Sequence, residues 1–297
     1  MTPAPVVVTG AGGFIGRAAC ASFAAAGRPF EGWSRASMGD LSAASEDALA
    51  RALEGARCVV HVAGRAHARV STEQLRRDNV EASRRVARAA RRAGVERFLH
   101  VSSVKVNGEW TPPGRPFRPD DPPAPADAYA RSKHEAELAV QGILQSSATT
   151  LAVLRLPLVY GPGAAGNFAA LVAAVRAGRR LPLGAIRNRR HFASLANVVD
   201  ALGAIIDASR PVAGAHFVAD ANSVSTPELV RAIAAAAGVP PRLAAVPVPL
   251  LVLGASLIGR GPAVARLTRS LEVDTSSLAA VTDWRPRAFG IDAATLA

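Results

Sequence analysis

The sequence predicts an α/β fold, a doubly wound, mostly parallel sheet with a smaller C-terminal lobe. Three observations carry that reading. Short apolar runs alternate with longer helical patterns over roughly the first 160 residues. The runs are continuous rather than alternating, as strands buried on both faces of a parallel sheet are. The first of them ends in a cluster of glycines from which a helix starts.

Val6 to Thr9 (VVVT) is the first strand, and a helix follows from about Gly13 to Ala26. Pro29 to Ser34 reads as a second strand, Leu49 to Leu53 as helical, and Cys58 to Ala63 as a third strand. Glu73 to Arg92 is a long amphipathic helix, followed by a strand at Phe98 to Ser102. Tyr129 to Gln145 is helical and Leu151 to Leu156 is a strand. The proline-rich stretch from Thr111 to Pro125, with Asp120 and Asp121, is either an ordered loop beside a functional site or a plain connection. Gly161-Pro162-Gly163 marks a turn, after which the pattern loosens and one more strand is expected near His216 to Ala219. The sheet should have about seven strands.

Composition narrows the class. Hydrophobic residues are 49% and charged residues 20%, so the chain has ample core. Two cysteines, Cys20 and Cys58, exclude a disulfide scaffold or a thiolate metal cluster and suit a reducing cytoplasm. The longest apolar candidate, Val246 to Ile258, is broken by Pro247, Pro249 and Gly254, so no membrane insertion is expected. The N-terminus has no basic segment ahead of Pro3 and Pro5, and no signal peptide is expected. The net charge is +12, carried by 35 Lys and Arg of which only Lys105 and Lys133 are lysines. Scattered arginines with 5% aromatics argue against nucleic acid and for a phosphate-bearing small ligand.

Three motifs carry chemistry. In VVVTGAGGFIG, a buried strand runs into Gly10, Gly13 and Gly16, and Phe14 and Ile15 open the helix. Glycines let the backbone turn tightly and approach a pyrophosphate, and the helix N-terminus offers free amides to it. Tyr129 and Lys133 stand at i and i+4, so phenol and ammonium address one ligand from one helix face. A neighbouring cation lowers a phenol from its ordinary value of about 10. Lys133 is also a lysine where almost every other cation is arginine, and a compact charge with an adjustable pKa is lysine's role. The third motif is the strand-end pair Ser102 and Ser103, followed by Lys105, at the carboxyl edge where open parallel sheets bind ligands.

Together these motifs resemble the extended short-chain dehydrogenase/reductase family, also called the NAD-dependent epimerase/dehydratase family, over nearly the whole chain. Thr9 to Gly16 matches TGxxGxxG, and Tyr129 with Lys133 matches YxxxK. Gly39-Asp40-Leu41 resembles the adenine-contacting GD(L/I). His61 to Gly64, with Ala63 and Gly64, resembles HxA(A/G), and Asn79-Val80 the NV ahead of the serine strand. Leu156 to Gly163 is similar to the VYGP segment, and Arg190-His191-Phe192 to the R-D-F/Y segment that meets the nucleotide of a nucleotide sugar. Phrases such as SSVKVNGE, GNFxxL and LPLGAIxNRR are similar to a branch of nucleotide-sugar 4-ketoreductases.

The resemblance implies a Rossmann-like fold, with residues 1–160 mainly NAD(P)-binding and 161–297 mainly substrate-binding, some elements returning to the sheet. It implies catalysis by Ser103, with Ser102 as the alternative, together with Tyr129 and Lys133. The dinucleotide would meet Gly10, Gly13, Phe14, Ile15, Gly16, Ser34, Arg35, Asp40, Leu41, Ala63, Gly64, Asn79, Tyr129 and Lys133. Lys105, Asn167, Leu183 and Arg190 would meet a UDP-sugar. Family members using NAD usually carry Asp where this chain has Ser34-Arg35, a pair that suits a 2′-phosphate, so NADP is expected over NAD unless the pair merely starts a loop. Asn197 and Pro157 also depart from the family pattern. The expected activity is reduction of the C4 ketone of a UDP-linked 6-deoxy-N-acetylhexosulose for O-antigen synthesis; the alternative is a UDP-hexose 4-epimerase holding NAD. The family commonly dimerises through the helices that carry Val80, Val86, Ala90, Leu138 and Ile143 here, so a homodimer is expected.

Overall fold

A computed structural model describes residues 4–65, 70–257, 259 and 261–297, without the side chains of residues 262 and 263. Its strands are β1 (Val6–Thr9), β2 (Phe30–Trp33), β3 (Cys58–His61), β4 (Arg97–Ser103), β5 (Thr150–Leu156), β6 (Leu158–Tyr160), β7 (Phe192–Ser194) and β8 (Gly214–Phe217). The helices through the middle of the chain are α1 (Phe14–Ala25), α2 (Arg35–Met38), α3 (Glu46–Ala52), α4 (Thr72–Leu75), α5 (Ala82–Arg92) and α6 (Ala128–Leu144). After them come α7 (Asn167–Arg176), α8 (Leu195–Asp207), α9 (Thr226–Ala236), α10 (Val248–Leu257), α11 (Gly261–Thr268) and α12 (Ser276–Val281).

Six strands form one sheet in the order β2-β1-β3-β4-β5-β8, every pair parallel. β6 and β7 pair parallel in a separate two-stranded sheet. Alternation along β1 divides the core: Val6 and Val8 face a cluster with Phe23 of α1 and Leu202 of α8, while Val7 faces Leu49 of α3, Val86 of α5 and Val140 of α6. Two apolar faces on one strand require helices on both sides, hence the doubly wound arrangement. A third cluster, around Tyr160, Phe168, Leu229 and Ile233, is the core of the C-terminal lobe. The chain's second half also returns to the sheet, through β8 and through Val198, Leu202 and Trp284 in the first core.

Two details differ from expectation. The main sheet has six strands among the described residues, not seven. The stretch after β2, Ser34 to Ser45 (SRASMGDLSAAS), holds no β-branched residue and satisfies its own polar groups locally. Ser34 and Ser37 cap the four-residue α2 reciprocally, and Asp40 accepts from the Ser42 amide and hydroxyl at 2.9 and 2.7 Å. Second, the helix expected from Glu73 to Arg92 is interrupted by a π-turn over Arg76–Glu81, which buries Asp78, Asn79 and Val80 in succession. Among the described residues no helix is long and apolar enough to cross a membrane.

Candidate active site

The chain leaves β1 towards β2 on one side and reaches β3 on the other, so a crevice opens between the carboxyl ends of β1 and β3. Backbone approaches backbone there. Gly10 has φ +72°, and a Cβ on it would lie 2.7 Å from the Ala63 amide nitrogen. A Cβ on Gly16 would lie 2.1 Å from the Gly10 carbonyl oxygen, so that turn closes only with glycine. The first turn of α1 has no side-chain cap and no acidic residue. By contrast α3, α4, α6, α8 and α9 each begin with a Ser or Asp side chain that accepts from a helix amide. The amides of Phe14 and Ile15 are therefore left to an anion. Ser34 borders the cradle, its Cβ 3.8 Å from where a Cβ on Gly12 would stand. These residues fit a dinucleotide pyrophosphate.

Two carboxylates, Asp40 and Asp78, organise the arginines beyond the end of β2. Asp40, held low by the Ser42 hydroxyl, also pairs with Arg77 at 3.5 Å, and Leu41 is buried beside it. Arg35 is largely exposed and approaches the buried Asp78 only at 3.5 Å, while Arg65 holds the same carboxylate at 2.6 Å. Asn79 fastens the β3 loop to α6: its Oδ1 accepts from the Arg65 amide at 2.7 Å, and its amide donates to the Ser132 hydroxyl at 2.8 Å. A Cβ on Gly64 would reach Asn79 Oδ1 at 2.9 Å and Lys133 Nζ at 4.0 Å, so the loop and the helix meet at the lysine.

Asp127 caps α6, accepting from the Ala130 amide at 2.7 Å, and so presents Tyr129 and Lys133 one turn apart on that helix. The Ser103 hydroxyl lies near the Tyr129 phenol and favours its ionised form, but desolvation outweighs this and pushes the phenol up to about 12. Lys133 is buried, donates to the Val101 carbonyl at 2.6 Å, and is pulled down to about 8 by desolvation, with the Glu137 charge opposing. Ser102, the neighbouring strand residue, donates instead to Glu137. Glu137 is clasped by Arg155, Nη2 to Oε2 at 2.7 Å, and Arg155 reaches on to Asn107 Oδ1 at 3.0 Å. This buried ion pair escaped the sequence reading, although Glu137 continues the i, i+4 series from Tyr129 through Lys133. Across β3 and β4, His61 and His100 stack at 5.5 Å. His61 spans Thr9 Oγ1 at 2.8 Å and Ser83 Oγ at 2.9 Å, and burial brings it down to about 3. Among the described residues His100 has no hydrogen-bond partner on either ring nitrogen, and burial keeps it well below the ordinary histidine value.

The expected substrate residues are dispersed. Arg190 is half-buried, donates to the Arg269 carbonyl at 2.9 Å, and is brought down to about 10 by burial and then by the like charge of Arg266. Asp200, near it in sequence, pairs with Arg287 instead, at 2.8 Å. Asn167 opens α7, whose N-cap Gly166 also lends no side chain. The Lys105 ammonium is held by Asp127 at 2.5 Å and Glu109 at 3.1 Å. Leu183 is buried in the lobe core. Asn197, where an Asp is common, donates to buried Asp220 at 2.7 Å, a place where a second carboxylate would face the first.

A nucleotide cradle at the sheet's switch point, with a Tyr-Lys helix pair and a strand-end serine at its edge, defines a dinucleotide-binding α/β protein of dehydrogenase type. The chain belongs to the NAD-dependent epimerase/dehydratase family, whose model matches residues 6–219. It is 36% identical over 255 residues to a UDP-glucose 4-epimerase of Vibrio cholerae, covering 84% of this chain and 77% of that one. In fold it is similar to the UDP-glucose 4-epimerase of Thermus thermophilus in complex with NAD, at TM-score 0.75 and 23% identity, over 98% and 96% of the two chains. It is similar also to RMD from Pseudomonas aeruginosa complexed with NADPH, at TM-score 0.77 and 22% identity, over 98% of each chain.

Proposed function

We propose that the protein is a cytoplasmic NADPH-dependent 4-ketoreductase acting on a UDP-linked 6-deoxy-N-acetylhexosulose. The observation that carries this reading is the convergence of the Tyr129 and Ser103 hydroxyls at the end of β4, with Lys133 one helical turn on. When bound, the nicotinamide would supply hydride to the C4 ketone. Ser103 donates a hydrogen bond to the carbonyl oxygen and holds it as charge develops there. Tyr129 gives its phenolic proton to that oxygen. A half-buried phenol that desolvation pushes up to about 12 stays protonated at neutral pH, as an acid must. Lys133 supports the tyrosinate left behind and orients the nicotinamide ribose. Arg190 and the amide end of α7 at Asn167 hold the substrate's diphosphate. Ser34 and Arg35 at the end of β2 favour a 2′-phosphate, because Arg35 is exposed and only loosely paired.

A second reading, a UDP-hexose 4-epimerase holding NAD, rests on the likeness to the Vibrio cholerae protein. Incubation with NADPH or NADH and a panel of UDP-4-keto sugars separates the two. NADPH oxidation with formation of a UDP-sugar alcohol supports the reductase. Interconversion of UDP-glucose and UDP-galactose with no added cofactor supports the epimerase and rejects the reductase. A homodimer is part of the proposal, although Val80, Val86 and Ala90 are spent in the chain's own core and only Leu138 of that set is exposed. A monomer in light scattering would reject it.

A further inference from the structure

α10 (VPLLVLGASL) has no polar face: its ten residues include one serine and no charge. Such a helix is ordinarily buried all round. Here Val248 and Leu251 pack on the lobe core and Ala255 is buried, but Leu250, Leu253 and Leu257 are 60%, 59% and 81% exposed. With Val252 they account for four of the eight large exposed hydrophobic residues among those described. Positions 250, 253 and 257 follow the i, i+3, i+7 spacing of one helix face.

The segment that carries this helix is charged with one sign only. From Leu229 to Leu271 the sequence holds five arginines, Arg231, Arg242, Arg260, Arg266 and Arg269, and no Asp or Glu. A parallel bridge between Leu181 and Leu243, with the Leu181 amide donating to the Arg242 carbonyl at 2.8 Å, brings Arg179 and Arg180 beside Arg242 just ahead of α10. All three are exposed, and none makes an ion pair among the described residues. The exposed Trp110 lies against the Arg269 guanidinium at 5.3 Å, directly after α11.

The geometry points to α10 as an interfacial helix that seats Leu250, Leu253 and Leu257 in an anionic lipid bilayer, with Arg179, Arg180 and Arg242 on the phosphate headgroups. An exposed apolar face on a segment whose only charges are cations, with three unpaired arginines just ahead of it, suits a surface that is apolar inside and negative at its rim. Ten residues rise about 15 Å, half the hydrocarbon thickness, so the helix lies on the membrane and does not span it. A second copy of this chain would carry the same arginines and meet them with like charge.

The test is sedimentation of the full-length protein with phosphatidylcholine vesicles, with and without phosphatidylglycerol. Binding should require the anionic lipid and weaken as salt rises. The double variant Leu253→Glu, Leu257→Glu should lose binding by about tenfold or more. The triple variant Arg179→Ala, Arg180→Ala, Arg242→Ala should lose the salt-sensitive part. All substituted side chains are exposed, so the thermal melts should match wild type. Wild type that stays in the supernatant overturns the proposal, as does undiminished vesicle binding by Leu253→Glu, Leu257→Glu. A dimer in light scattering that this double variant dissociates assigns the face to a second copy instead, and equally overturns it.

Discussion

The sheet half and the C-terminal lobe are built from different materials. Between β1 and β3 the cradle is almost all main chain, with glycines placed where a single Cβ would strike a carbonyl at 2.1 Å. In the lobe, β6 and β7 are three residues each, several connections are isolated bridges, and the expected substrate contacts are side chains on separate segments. A pyrophosphate is the same in every dinucleotide, so fixed amides serve it. Under the proposed function, a substrate group would be met by side chains, which can be exchanged without disturbing the sheet.

That contrast can be broken or sharpened by substitution. The largest effect is expected at the start of α6, where Tyr129 and Lys133 stand. Tyr129→Phe should lower kcat by roughly two to four powers of ten while folding and cofactor affinity persist, because only the proton donor is gone. Near wild-type turnover by a folded, NADPH-binding Tyr129→Phe protein would end the mechanism. Next, Gly16→Ala should abolish measurable dinucleotide binding or the fold itself, read by cofactor fluorescence and circular dichroism, because its Cβ has nowhere to go. An alanine variant that binds normally would show that the cradle is not rigid.

Lys133→Met should damage activity yet stabilise the protein at neutral pH, by an upper bound on the order of 3 kcal/mol. The fold holds this ammonium at about 8 against an ordinary 10.5. Below pH 8 both states are charged and the burial cost is full. Between pH 8 and 10.5 the folded protein sheds a proton that the unfolded chain keeps, so stability rises with pH. The advantage of Lys133→Met in urea unfolding should therefore shrink across that window and vanish above it. The smallest effect is expected in the lobe. Arg190→Ala should raise KM for the UDP-sugar by about tenfold and leave the NADPH dissociation constant unchanged. An unchanged KM would remove Arg190 from the substrate.

The sequence exposed the sheet half far better than the lobe, for physical reasons. VVVT, CVVH and RFLHVSS are unbroken buried runs, and β1 begins and ends where periodicity put it. Tyr129 and Lys133 were visible because i, i+4 spacing is local. The Ser102–Glu137–Arg155 chain joins β4, α6 and β5, and no local pattern announces a contact between residues so far apart. Nor does a pattern distinguish Ser102 from Ser103, because what separates them is which hydroxyl faces Glu137 and which faces Tyr129. In the lobe, Arg190 lies on an isolated bridge to Val224 and Leu271, an arrangement with no period to detect.

The π-turn over Arg76–Glu81 has a consequence for how this chain is aligned with its relatives. Consecutive residues of an α-helix point about 100° apart, and the wider turn over Arg76–Glu81 changes that phase while burying Asp78, Asn79 and Val80 in succession. The wider turn admits one extra residue and lets Asp78 take Arg65 while Asn79 takes the β3 loop and Ser132. A relative with a regular helix here is one residue shorter in the middle of a helix, where gaps are ordinarily disallowed. Forced into register without that gap, α5 would be matched a third of a turn out of phase, and its buried alanines would be compared with surface positions.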